Sequence, residues 1–140
     1  MIRINIYTIA ILLFFTNILL AQTKNFQEGV DLFNKKKFDT AKFKFEQDIV
    51  INPKSEKSYL YLSKIFKQQD KKELEEQNLN TVILLNPRNE EAIFNLAKLK
   101  LSTSDYKKSL ELNKKLKLVC KTYCNKSDQL KKEIENLSKK

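Results

Sequence analysis

The sequence predicts an all-α fold, an α-solenoid of three helical hairpins closed by a C-terminal capping helix. Three observations predict it. The 140 residues include one Gly and two Pro, with 41% hydrophobic residues and an excess of Lys, a composition that favours helices. The block Ile49-Val50-Ile51-Asn52-Pro53 recurs 34 residues later as Ile83-Leu84-Leu85-Asn86-Pro87, and self-similarity at that period marks stacked helical hairpins. Between the punctuation marks, apolar residues fall at three- and four-residue intervals.

The first segment stands apart from the fold. Arg3 precedes a nearly uninterrupted apolar run over residues 6–20, and Ala21 is followed by the polar Gln22-Thr23-Lys24. A basic start, a short apolar run and a small residue read as a secretory signal peptide over residues 1–21. The bulky Leu19 keeps an uncleaved membrane anchor as the alternative; the run is shorter than the ~20 residues that span a bilayer. Either way the sequence implies an exported chain, periplasmic or secreted, and membrane contact only if this segment stays attached.

The remaining elements follow in order. Phe26, Val30 and Phe33, then Phe38, Ala41, Phe45 and Ile49, describe two amphipathic helices parted near residues 35–37. Ser55 stands where it can cap a third helix carrying Tyr59, Leu62, Ile65 and Phe66. Asp70 and Glu73 have the spacing of a capping box before a fourth, which runs through Leu74 to Leu85. Asn89 caps a fifth, with Glu90 and Glu91 in its first turn, and Ser104 or Asp105 opens a sixth. Each Pro falls just past a helix end, where the residue before it is driven out of helical geometry. Ser127-Asp128 opens a seventh helix within residues 127–140, apolar at Leu130, Ile134 and Leu137 and charged elsewhere, as the cap of a solenoid requires.

The 34-residue register carries a resemblance. Gly29, Phe38, Ala41, Phe45 and Pro53 in the first unit lie where the tetratricopeptide repeat (TPR) wants a small residue, an aromatic, Ala, an aromatic and Pro. Tyr59, Leu62, Ser63, Phe66, Leu79 and Val82 match in the second unit; Ile93, Leu96, Ala97, Tyr106, Ser109 and Leu116 match in the third. The chain resembles the TPR family over residues 22–126, as units at about 22–55, 56–89 and 90–123. It departs at Glu75, which replaces a small residue, and at Lys100 and Asn113, which replace large apolar ones.

Chemistry is constrained by what is missing. Without His there is no Ser-His-Asp or Cys-His unit, one Gly cannot build a phosphate-cradling loop, and two Cys cannot close a zinc site. No catalytic residue, metal ligand or cofactor is predicted. The acidic cluster Asp70, Glu73, Glu75 and Glu76 is interleaved with lysines and reads as a solvated helix start. Cys120 and Cys124 are one helical turn apart, a spacing at which a local disulfide and two inert thiols both remain open.

The resemblance implies a non-catalytic protein–protein interaction module, an adaptor for assembling an envelope or surface complex. Matching the family's groove-facing positions gives Phe26, Val30, Phe33 and Asn34 in the first unit, Lys57, Leu60, Lys64, Lys67 and Gln68 in the second, and Phe94, Asn95 and Lys98 in the third. Such a groove is apolar at one end and basic in its middle, complementary to an unknown protein or peptide with apolar anchors and acidic residues. No small-molecule substrate and no specific nucleic acid is implied, since most of the basic residues are Lys and base recognition leans on Arg. The alternative is a binder of polyanions (polysaccharide, lipid head groups or nucleic acid) through the net charge of +10.

Overall fold

Burial of one apolar stripe per helix is what turns the repeating pattern into structure. The computed structural model describes residues 23–139; the predicted signal or anchor lies outside the described residues. Seven α-helices occupy them: α1 (Lys24–Asn34), α2 (Phe38–Ile51), α3 (Glu56–Gln68), α4 (Lys72–Leu85), α5 (Glu90–Ser102), α6 (Tyr106–Val119) and α7 (Cys124–Leu137). Consecutive helices pack as antiparallel hairpins α1/α2, α3/α4 and α5/α6, each also touching the next, and α7 closes the stack against α6 and α5. The fold is an all-α solenoid, with no strand among the described residues.

Two clusters form its core. Phe26, Ala41, Phe45, Leu62, Ile65 and Phe66 join the first hairpin to α3, with Tyr61 stacked on Phe45 at 4.9 Å between ring centroids. Leu79, Val82, Ile93, Leu96, Leu116, Leu130 and Ile134 carry the core through the later units into α7. Small residues permit the close crossings. Gly29 is one: a Cβ there would come within 2.7 Å of the fully buried Phe45 ring.

The turn inside each hairpin repeats with the same period, at a place the sequence did not mark. Lys36, Asp70 and Ser104 all adopt positive φ, at 59°, 53° and 61°. In each turn the following amide returns to a carbonyl five residues earlier: Lys37 to Leu32, Lys71 to Phe66 and Asp105 to Lys100, all at 2.9 Å. This is the Schellman ending, usually made with glycine. Asp70 therefore ends α3 rather than opening a capping box; Lys71 holds the N-cap position of α4, without a side-chain cap. Ser55 likewise makes no cap, because its hydroxyl donates to Asp48 at 2.5 Å. Asn89 and Asp105 do cap α5 and α6, accepting from the amides of Ala92 at 2.8 Å and Lys108 at 3.0 Å.

The opposite edge, where α2, α4 and α6 end and α1, α3, α5 and α7 begin, is stapled by carboxylates. Buried Asp48 accepts hydrogen bonds from Thr23, Ser55 and Ser58, tying the start of α1 and α3 to the end of α2. Glu56 accepts from the side chains of Asn86, at 3.0 Å, and Asn89. Glu90, 34 residues on, accepts the backbone N–H groups of Lys121, Thr122 and Tyr123 at 2.9, 2.9 and 2.7 Å. With those amides satisfied, α7 starts at Cys124, earlier than the predicted Ser127. A disulfide joins Cys120 to Cys124 across the same turn, Cα atoms 5.3 Å apart. Ser127 is instead buried, its hydroxyl donating to Asn113 Oδ1 at 2.9 Å while Asn113 Nδ2 donates to the Ser127 carbonyl at 3.0 Å. That exchange accommodates Asn113 where the repeat prefers an apolar residue. Lys100 is accommodated by an ion pair with Glu76 at 2.6 Å.

Candidate functional site

The first helices of the three units, α1, α3 and α5, line a groove whose middle is formed where α3 passes between its neighbours. One depression of about 290 Å³ gathers five of the sequence-predicted residues, Phe33 from α1, Lys64, Lys67 and Gln68 from α3 and Asn95 from α5. Ser63, Glu75 and Glu91 complete its wall. A second depression of about 390 Å³ adjoins it, sharing Lys67 and Glu75 and reaching Lys98, Asp70, Lys72, Leu99 and Ser102.

The structure redistributes the other predicted residues. Phe26 is buried beneath the surface, 5.8 Å from both Phe45 and Tyr61, because its face of α1 meets α2 and α3. Val30 rests half-buried on the same cluster, and Leu60 packs on the second cluster toward α4 and α5. Phe94 lies half-buried against Tyr123, ring centroids 5.6 Å apart, with Lys126 Nζ 3.9 Å from the Tyr123 ring. Asn34 and Lys57 are exposed and line neither depression.

Sequence reasoning missed Tyr61 and misread Glu75. Tyr61 meets Phe33 edge-on at 5.1 Å, and Lys64 Nζ lies 5.0 Å from its ring, so it supports two groove residues from behind without lining either depression. The signal was present: Tyr61, Lys64 and Gln68 fall at i, i+3 and i+7 on one helical face. Glu75 is not part of a solvated helix start. Counting by 34 places it with Ala41 and Ser109, in the slot where paired helices approach closely, and only 5% of its surface is exposed. Burial raises its carboxyl pKa, against the pull of Lys67 above it.

The charge in the groove is balanced rather than basic. Lys64 pairs with Glu91 at 2.8 Å, and Lys98 with Glu133 of α7 at 2.8 Å. Lys67 is exposed and stands over Glu75. The predicted basic middle is thus compensated by acidic residues one repeat further on, which a scan of α3 alone does not see. Among the described residues, no group of three or more acidic or Cys side chains is placed to hold a metal ion.

With this geometry the chain has the TPR fold. The TPR2B domain of yeast Sti1, in a pHsp70 complex, matches it with a TM-score of 0.75 at 16% identity, over 81% of this chain and 95% of that one. The type III secretion chaperone SycD of Yersinia enterocolitica, in complex with a peptide of the translocator YopD, matches with a TM-score of 0.73 at 11% identity, over 84% and 93%. The Sgt2 TPR domain from Aspergillus fumigatus matches at 0.70 and 16% identity, over 84% and 81%. No family model matches the sequence, and no curated protein matches it.

Proposed function

We propose that the chain is a non-catalytic protein-interaction module that holds an extended segment of a partner protein across α1, α3 and α5, and that it acts outside the cytoplasm in assembling an envelope or surface complex. The observation that carries this is the pair of adjoining depressions sharing Lys67 and Glu75, lined by side chains from α1, α3, α4 and α5. Phe33 offers an apolar contact, Gln68 and Asn95 offer amide donors and acceptors, and Lys67 offers a positive charge with no ion pair among the described residues. An extended segment with an apolar anchor and an acidic residue fits that order. Strong selection for acidic residues does not, because Lys64 and Lys98 already have carboxylate partners. SycD, with the same fold, holds a translocator peptide, which is consistent with the reading. The basic-then-apolar start of the sequence supports export.

Photo-crosslinking tests the proposal. A photoreactive residue at Asn95 or Gln68 of the full chain, expressed in its own cells, should trap a partner polypeptide, whereas one at the exposed Lys107 of α6 should not. Equal trapping at Lys107 would count against the groove.

A further inference from the structure

One row of residues recurs with the repeat and serves neither the core nor the groove. Val50, Leu84 and Leu118 lie 34 residues apart in the last turns of α2, α4 and α6, and they are 82%, 81% and 85% exposed. Ile51 beside Val50 is 66% exposed. Single exposed aliphatics are ordinary; the same large aliphatic exposure at one position of every unit is not.

The hydrogen bonds of the carboxylate staples place these residues along one edge. Thr23 and Ser55 meet at Asp48, Glu56 meets Asn86 and Asn89, and Glu90 meets Lys121 through Tyr123, so the ends of α2, α4 and α6 lie together with the start of α1. A basic residue follows each aliphatic within four positions: Lys54, Arg88 and Lys121, all exposed and, among the described residues, none in an ion pair. The carboxylates of this edge, Asp48, Glu56 and Glu90, are engaged by hydroxyls, amides and Asn side chains. These carboxylates are buried or half-buried, so the exposed charges that accompany the aliphatics are the basic ones. Thr23 also lies at this edge, and in the sequence it follows the apolar run of residues 6–20 by three positions.

We infer that this edge docks on an anionic lipid surface, with Val50, Leu84 and Leu118 entering the interface and Lys54, Arg88 and Lys121 meeting the head groups. Exposed aliphatics beside basic side chains are the chemistry of interfacial membrane binding. A bilayer is the occupant that matches the repeated apolar row and the exposed basic side chains beside it, and an uncleaved apolar segment would join the chain at that same edge. The groove lies on the flank of the helices, so docking leaves it open. The inference does not depend on what the groove binds.

The test uses the full chain, diluted from mild detergent into vesicles, with an environment-sensitive fluorophore on Val50→Cys, Leu84→Cys or Ser102→Cys. The native cystine does not react, and all three sites are exposed. Ser102 ends α5, roughly 20 Å along the helix from the docking edge. With vesicles containing 30% phosphatidylglycerol in phosphatidylcholine, the labels at positions 50 and 84 should shift to the blue and lose access to iodide, and the label at 102 should not. With phosphatidylcholine alone the shift should be absent, because neutral head groups offer Lys54, Arg88 and Lys121 no charge to draw the edge down. Adding Lys54→Glu, Arg88→Glu and Lys121→Glu should raise the lipid concentration needed for half the shift at least tenfold, given about fivefold per basic residue near an anionic surface. Unshifted labels at 50 and 84 on anionic vesicles, an equal shift at 102, or an equal shift on neutral vesicles would each overturn the inference.

Discussion

The Glu90 carboxylate accepts the backbone N–H of Tyr123 at 2.7 Å, binding the first turn of α5 to the start of α7. Glu56 stands at the same position one unit earlier and makes the corresponding link to Asn86 and Asn89. Burial opposes the Glu90 charge, but the amides of Tyr123, Lys121 and Thr122 outweigh it and hold its carboxyl below the ordinary value of 4.5. A depressed folded-state pKa gives stability that is present above 4.5 and lost as the pH falls through the folded value. Hydrogen exchange should show α7 amides protected from neutral pH down to about 5, then losing protection on acidification before the rest of the stack. In Glu90→Gln that pH step should disappear and α7 should exchange faster at every pH.

Glu75 should behave in the opposite sense. Its pKa is raised chiefly by burial, so the folded protein takes up a proton more readily than the unfolded chain, and its charge opposes folding as the pH rises through the folded value. Glu75→Gln should raise the denaturation midpoint at pH 7 and leave it nearly unchanged at pH 3. Urea titrations at the two pH values measure both.

Gly29→Ala should cost about 1–2 kcal/mol of stability. Alanine gains helix propensity, but its methyl meets the Phe45 ring, which is stacked on Tyr61 and has nowhere to move. A midpoint equal to the wild type would show that the Phe45–Tyr61 stack yields at no cost.

Ser104→Gly should stabilise by about 0.5–1 kcal/mol. Ser104 holds φ at 61° with no glycine to relieve it, and the left-handed conformation costs an ordinary residue roughly 1–2 kcal/mol, offset in part by the entropy of a freer unfolded chain. Lys36→Gly should act in the same direction.

The sequence made the architecture legible because the repeat is written in residues that cannot be exchanged freely: a Pro past the helix end, a Gly at the crossing, apolar residues facing inward. The turns inside the hairpins were not legible, since the usual marker is glycine and Lys36, Asp70 and Ser104 carry none. Asp70 was read as a cap because Asp suits both a helix start and a left-handed turn. Half of the groove was legible for the same reason as the fold: Phe33, Lys64, Lys67, Gln68 and Asn95 follow from register alone. Its charge was not, because Glu91 and Glu133 reach Lys64 and Lys98 from other helices. The staple residues Glu56 and Glu90 were equally hidden, their partners lying some thirty residues away.

We propose the groove between Phe33, Gln68 and Asn95 as the working surface of the molecule. The most direct measurement is the affinity of the crosslinked partner segment for Asn95→Arg, a half-buried position whose longer side chain fills the depression. A loss of at least tenfold in affinity, with the thermal midpoint unchanged, is the predicted result, as for a contact at the centre of an interface. Unchanged affinity in a folded Asn95→Arg variant would contradict it.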